Sequence, residues 1–329
     1  MKTLAIISFC LAGAVLAQPA MADEAPIVIK FSHVVSESTP KGKGAQLFRQ
    51  LVEQRLGGRV RVEVYAESTL YDDNEEVAAL QRNDVQLIAP SVSNLGTYSP
   101  RVEVFDLPFL FDDLEALQRF QSRRAAQELL SSMASHGITG LAYWNNGMKQ
   151  LSATRELRRP EDAKGLVFRV QDSEILDSQF EAVLAQTANM PFAQAFEALK
   201  SGRVQGAENP WSNIASQKFY TVQPYITESN HGVLAYMLLT NTTFWHSLPF
   251  DVRNQLQAII DEVTLAVNAE AQSINERERE RIKASGVTQL SVMKDDDREA
   301  WRQAMAPVYQ KYEKVIGADL VRAARAVNR

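Results

Sequence analysis

The chain has 329 residues, 45% hydrophobic and 23% charged, with 35 lysines and arginines against 40 aspartates and glutamates for a formal net charge of −5. That length allows two lobes at the usual ~100 to 200 residues each, and a mildly acidic balance without a lysine-rich block gives no sign of nucleic-acid binding. The lone cysteine, Cys10, excludes a disulfide framework and a cysteine-based metal site.

The opening MKTLAIISFCLAGAVLAQPAMADEAP reads as a secretory signal peptide: Lys2 is its charged start, 4–16 its apolar run, and Ala20 and Ala22 its small-residue cleavage site. Residues 1–22 are therefore expected to be removed and the mature protein exported. A retained N-terminal anchor is the alternative, but the run is shorter than the roughly 20 residues a spanning helix needs. Bulky Phe9 before Cys10 argues against a lipid-anchored cysteine, and no later stretch reads as membrane-embedded.

Strand-like runs follow at IVIKFSHVV (27–35), RVRVEVYAES (59–68) and DVQLIAPSV (84–92). Between the first two, Thr39 and Pro40 open a helix that Gly57 and Gly58 close, with Leu47, Phe48, Leu51, Val52 and Leu56 on one face. This alternation predicts an α/β lobe with a parallel or mixed sheet. ITGLAYWNNG (138–147) is the next expected strand, and 149–160 is a polar stretch. A second α/β series runs through GLVFRVQ (165–171), a helix near 173–185, the short segment NMPF (189–192) and a helix near 193–201. HGVLAYMLLTN (231–241) is another apolar strand, after which the chain turns helical to its end. From 249 to about 284, Val252, Leu256, Ile259, Ile260 and Val263 keep helical spacing over a length that one lobe does not need, so this helix is read as spanning both.

Enzyme signatures are missing: no G-x-S-x-G elbow, H-E-x-x-H, phosphate-binding loop or G-x-G-x-x-G occurs. His33, His136, His231 and His246 share no metal-ligand spacing, and no cofactor is expected. The acidic runs DDNEE (72–76), DDLE (112–115) and DDD (295–297) each precede a helical pattern and are explained by capping and the helix dipole. In GLVFRVQ, strand alternation puts Val167, Arg169 and Gln171 on one face, which looks either at water or at something negative. Lys149, Asn209, Ser91 and Ser93 also fall at expected strand ends, where open α/β sheets bind ligands.

Taken together, KFSHVVSESTPKGKGAQLF, FDLPFLF (105–111), LAYWNNGMKQLS (141–152), GLVFRVQ, GAENPWSNIASQKFY (206–220) and NHGVLAYMLLTN resemble the TRAP-transporter solute-binding proteins, and within them the DctP group of four-carbon dicarboxylate binders. The resemblance implies an α/β periplasmic-binding-protein fold of two lobes, joined by strands and a long spanning helix, that closes on a small organic anion and delivers it to a membrane permease; it implies no catalysis. It assigns the substrate carboxylate to Arg169, supporting contacts to Asn209, Lys149 and Phe192, and variable lining to His33, Ser91, Ser93 and Asn213. Lobe I is expected to comprise 23–146 with 235–274, and lobe II 147–234 with 275–329. QGAEN in place of the group's common DGQEN, and MPFAQAF in place of MPFSEVY, bear on ligand size and identity. Another organic acid (keto, aromatic or sugar acid) and a ligand-sensing subunit remain alternatives, with an exported hydrolase the least supported.

Overall fold

A computed structural model describes residues 25–328; the expected signal segment and its cleavage site lie outside the described residues. The strands are β1 (Ile27–Ser32), β2 (Val60–Tyr65), β3 (Leu87–Ile88), β4 (Ile138–Met148), β5 (Gln150–Ala153), β6 (Val167–Val170), β7 (Gln186–Asn189), β8 (Gly206–Asn209), β9 (Tyr225–Glu228), β10 (Val233–Asn241) and β11 (Gln289–Val292). They form two mixed sheets, ordered β2-β1-β3-β10-β4 and β11-β9-β5-β8-β6-β7, each the centre of one lobe of a two-lobed α/β fold.

Each sheet owes its parallel pairs to helical crossovers. The helix Pro40–Leu56 carries the chain from β1 to its parallel partner β2, with Thr39 capping its first turn and Phe48, Leu51, Val52 and Leu56 buried. The run 84–92 yields only the two-residue β3, because Ser91 accepts from the Ser93 N–H and turns the chain into a short 3-10 helix, Val92–Leu95. NMPF is not a strand: the strand lies one step earlier, at polar β7, and Phe192 already begins the helix Phe192–Lys200.

The polar stretch after Lys149 holds the larger surprise. Its first residues form β5, fully buried between β8 and β9. A buried polar strand is tolerated because its side chains are satisfied: Gln150 donates to Asn230 Oδ1 and accepts from the Ser229 N–H, and the Ser152 hydroxyl donates to the Ala207 carbonyl.

The chain passes between lobes where β4 runs into β5 and returns where β9 leads to β10, so Lys149 and 229–232 sit at neighbouring crossings. The helix Phe250–Ser285, about 54 Å long at 1.5 Å per residue, makes a third. Val252, Leu256, Ile259, Ile260, Val263 and Val267 pack on the first sheet, whereas Ile282 joins the core of the second.

A further helix, Asp295–Ile316, also crosses. Trp301 and Met305 pack in the second lobe; Val308, Tyr312 and Ile316, with Leu320 and Val321 of the helix Ala318–Arg325, pack in the first, and Pro307 lies at the change. The C-terminal region thus divides between the lobes instead of belonging wholly to lobe II as 275–329, because its apolar stripe continues beyond the second core onto exposed apolar surface of the first.

Gly206 fixes how closely β8 approaches β6. A Cβ there would lie 2.4 Å from the ring of Phe168, itself stacked on Phe180 with centroids 4.4 Å apart. Gly206→Ala is expected to destabilise the protein by about 1–3 kcal/mol through overpacking, read from urea denaturation; an unchanged midpoint would mean that the stacked pair can move aside.

Candidate functional site

β6 ends at the interlobe cleft, and Arg169 on it is 3% exposed. Its Nε and Nη2 both donate to the Met190 carbonyl, at 3.1 and 2.7 Å, and its guanidinium lies 5.7 Å from the centre of the Phe192 ring. No carboxylate among the described residues forms a salt bridge with it. Burial lowers the Arg169 pKa from its ordinary value, opposed by the negative charges of Asp73 and Glu208. The face of β6 bearing Arg169 therefore looks into a protein chamber, away from bulk water.

The opposite wall comes from the first lobe. Lys41, in the first turn of the helix Pro40–Leu56, is fully buried; its Nζ donates to the Ala89 carbonyl at 2.8 Å and lies 3.8 Å from the centre of the Tyr236 ring. Burial lowers its pKa to about 8, opposed by Glu76 and Asp73. Glu76 is also fully buried, neither carboxyl oxygen has a hydrogen-bond partner, and burial pushes it up to about 8. Burial thus disfavours the charged form of both groups, and no salt bridge joins Glu76 to the Lys41 ammonium.

Arg169 and Lys41 line one inner chamber of about 10 Å³, together with Val34, Val35, Asp73, Ser91, Gln171, Phe192, Asn209, Asn213, Leu234 and Tyr236. Asn209, at the end of β8, is oriented by Asn213, whose Nδ2 donates to Asn209 Oδ1 at 3.1 Å. Asn213 Oδ1 in turn accepts from Asn146 Nδ2, which also reaches the Tyr236 hydroxyl. This chain of amides leaves Asn209 Nδ2 as a buried donor with no acceptor. The chamber thus presents two cations and an unused amide N–H, a set suited to an organic anion.

A wider outer chamber of about 410 Å³ adjoins it, sharing Asp73, Arg169 and Gln171. Asp73 also ties the lobes together: Oδ2 accepts the Phe192 N–H at 2.7 Å, at the start of the helix Phe192–Lys200, while Oδ1 accepts from Asn94 at 3.3 Å. In the run 72–76 the capping acid therefore serves a helix of the other lobe; the helix that follows, Glu76–Gln81, has no side-chain cap.

Of the eight residues singled out in the sequence, Arg169, Asn209, Phe192, Ser91 and Asn213 line the inner chamber. Ser93 stands behind that lining, its hydroxyl donating to Asp106 at 2.7 Å and lying 3.2 Å from the Ser91 hydroxyl. His33 is buried with neither ring nitrogen hydrogen-bonded, and burial, then Lys41, pushes its imidazole down to about 3, so it is a neutral core residue.

Lys149 requires a correction, because its ammonium is taken. It pairs with Glu208, whose other oxygen lies 2.8 Å from His231 Nε2, while His231 Nδ1 lies 2.7 Å from the Ser229 hydroxyl. This buried cluster joins both strand crossings to β8. Lys41 is the cation that the sequence reading missed. Its signal was available: a lysine in a helix's first turn, without an acid beside it, opposes the helix dipole.

Burial alone would push Glu208 up; Lys149 and His231 outweigh it and hold the carboxyl at about 2, against an ordinary 4.5. Its pairing therefore stabilises the fold fully above the ordinary value, and that contribution is lost as pH falls from about 4.5 through about 2. Lys149→Met is expected to cost about 3–5 kcal/mol at neutral pH and progressively less across that window in denaturation curves. A cost independent of pH would show that Lys149 is not there to hold the carboxylate.

Residues 31–315 match the family model of the bacterial extracellular solute-binding proteins, family 7 (DctP). A relative from Shewanella loihica, the C4-dicarboxylate-binding periplasmic protein DctP, is 48% identical over 92% of this chain and 90% of its own. Among solved structures, a TRAP periplasmic solute-binding protein from Pseudomonas aeruginosa with bound L-malate is 57% identical, with a TM-score of 0.86 over 87% of this chain and 100% of that one. Another, from Shewanella oneidensis with bound succinate, is 48% identical, with a TM-score of 0.92 over 93% and 100%. On the strength of this match, which spans nearly all of both sheets and the cleft between them, the chain belongs to the DctP family, family 7 of the bacterial extracellular solute-binding proteins.

Proposed function

We propose that this protein is the periplasmic solute-binding component of a TRAP transporter, exported through a signal cleaved after Ala22, and that it captures a four-carbon dicarboxylate and delivers it unchanged to a membrane permease. One observation carries the reading: two buried cations with no salt bridge among the described residues, Arg169 and Lys41, flank a single small chamber between the lobes, against the one carboxylate of Asp73 in its lining. The ligands named for relatives of 48 and 57% identity have the matching charge.

In this reading the inner chamber, which at about 10 Å³ holds no more than a water, widens as the lobes part to admit the ligand; Arg169 then meets one carboxylate with its planar fork, Lys41 meets the other, and Asn209 Nδ2 donates alongside. Phe192 covers the guanidinium and excludes water. A charge-assisted hydrogen bond contributes roughly 1.5 to 3 kcal/mol, whereas micromolar affinity needs about 8, so no single contact suffices. Groups from both lobes must engage together, which makes closure the state that the ligand stabilises.

Calorimetric titration with succinate, malate, fumarate and butyrate tests this. Succinate is expected to bind well ahead of butyrate, and Arg169→Lys to weaken it at least ~10-fold, since an ammonium cannot make the bidentate contact. Lys41→Met is expected to abolish the advantage of succinate over butyrate. If that advantage survived in Lys41→Met, the second carboxylate would lie elsewhere; if butyrate matched succinate on the unaltered protein, the dicarboxylate reading would fall.

A further inference from the structure

The space beyond the inner chamber is larger than a four-carbon acid needs, and its lining is not neutral. The outer chamber is bordered by Asp73 and Asp172 and by the polar side chains of Asn74, Asn94, Gln171 and Tyr98. Among the described residues only Arg169 brings positive charge to its lining, and that guanidinium also lines the inner chamber.

A ligand held between Arg169 and Lys41 has few directions in which to branch. Val34, Val35, Phe192 and Leu234 wall the inner chamber with apolar surface, while Asp73, Arg169 and Gln171 are common to both chambers. A third arm would therefore pass Arg169 into the outer chamber, whose lining includes Asp73 and the exposed Asp172. Asp73 is fixed there by its bonds from the Phe192 N–H and Asn94. Asp172 has no hydrogen-bond or ion-pair partner among the described residues to offset its charge.

We propose that Asp73 and Asp172 are specificity-determining residues that hold this protein to ligands of two carboxylates, by placing negative charge where a third carboxylate would lie. The outer chamber has room for the arm; like charge rejects it, an instance of selection by repulsion. The inference rests on the reading of the inner chamber as a dicarboxylate site. A neutral polar arm, which the surrounding amides can hydrogen-bond, is accepted.

The test compares succinate, tricarballylate (propane-1,2,3-tricarboxylate) and the monoamide of tricarballylate that keeps a neutral third arm, titrated calorimetrically into the mature protein and into Asp73→Asn/Asp172→Asn. Asparagine at 73 retains an acceptor for the Phe192 N–H. The readout is the ratio of each affinity to that for succinate on the same protein, so a general weakening of the variant cancels. The unaltered protein is expected to favour the monoamide over tricarballylate at least ~10-fold, and the double variant to raise the tricarballylate ratio by a similar factor. Equal rejection of both three-armed acids would overturn the proposal, because size would then set the limit. An unchanged tricarballylate ratio in the variant would overturn it too. Failure of succinate to bind the unaltered protein would instead remove the dicarboxylate reading, and this inference with it.

Discussion

Three buried cations meet near the cleft of this protein, and only one of them is neutralised. Lys149 has Glu208; Arg169 has a carbonyl oxygen and the face of a phenyl ring; Lys41 has a carbonyl oxygen and the face of a tyrosine. Burying a charge without an ionic partner is among the larger penalties a fold can carry. The surrounding architecture is organised to bear it. Backbone carbonyls are aimed at both cations, burial disfavours ionisation of Glu76, and the asparagines and Tyr236 form a network whose remaining free group is a donor. In the proposed reading, an anion entering the chamber would offset both cations at once, and electrostatics would then favour a closed arrangement of the lobes.

The neutralised cation has a different task. The Lys149, Glu208 and His231 cluster links the outgoing crossing, the returning crossing and β8, the strand that ends in Asn209. It holds fixed the backbone about which the lobes are joined. Because the cluster is internally satisfied, a ligand need not touch it for the geometry of Asn209 to be maintained.

Much of the fold was legible from residue pattern. Gly57-Gly58 and Thr39-Pro40 marked the ends of their helix, and the apolar spacing from Val252 onward located the long crossing helix to within a residue or so. What escaped lacked an alternating apolar signature: β5 and β8 are buried at the centre of their sheet, where ladder bonds and satisfied polar side chains hold them, and β7 and β11 are its short, partly exposed edge strands. The site split in the same way. Arg169 was legible because it interrupts an apolar strand; Lys149 follows the end of a strand as a ligand-binding cation would, and only the position of Glu208, 59 residues away, separates a free cation from a paired one. Asp73 looked like a cap for the helix after it, and caps a helix in the other lobe instead. Such pairings across the cleft leave no trace in local sequence.

Pro307 gives the second crossing helix a mechanical character unlike that of the first. It lies between Met305, anchored in one core, and Val308, anchored in the other. A proline here withholds one backbone hydrogen bond and crowds the carbonyl four residues back, so bending stiffness is lowest where the helix passes between the two bodies. The unbroken helix Phe250–Ser285 behaves as an elastic rod that resists flexing, while the proline-bearing helix behaves as a jointed strut. Together they confine relative motion of the lobes to rotations that the joint permits and that the rod opposes with a restoring force.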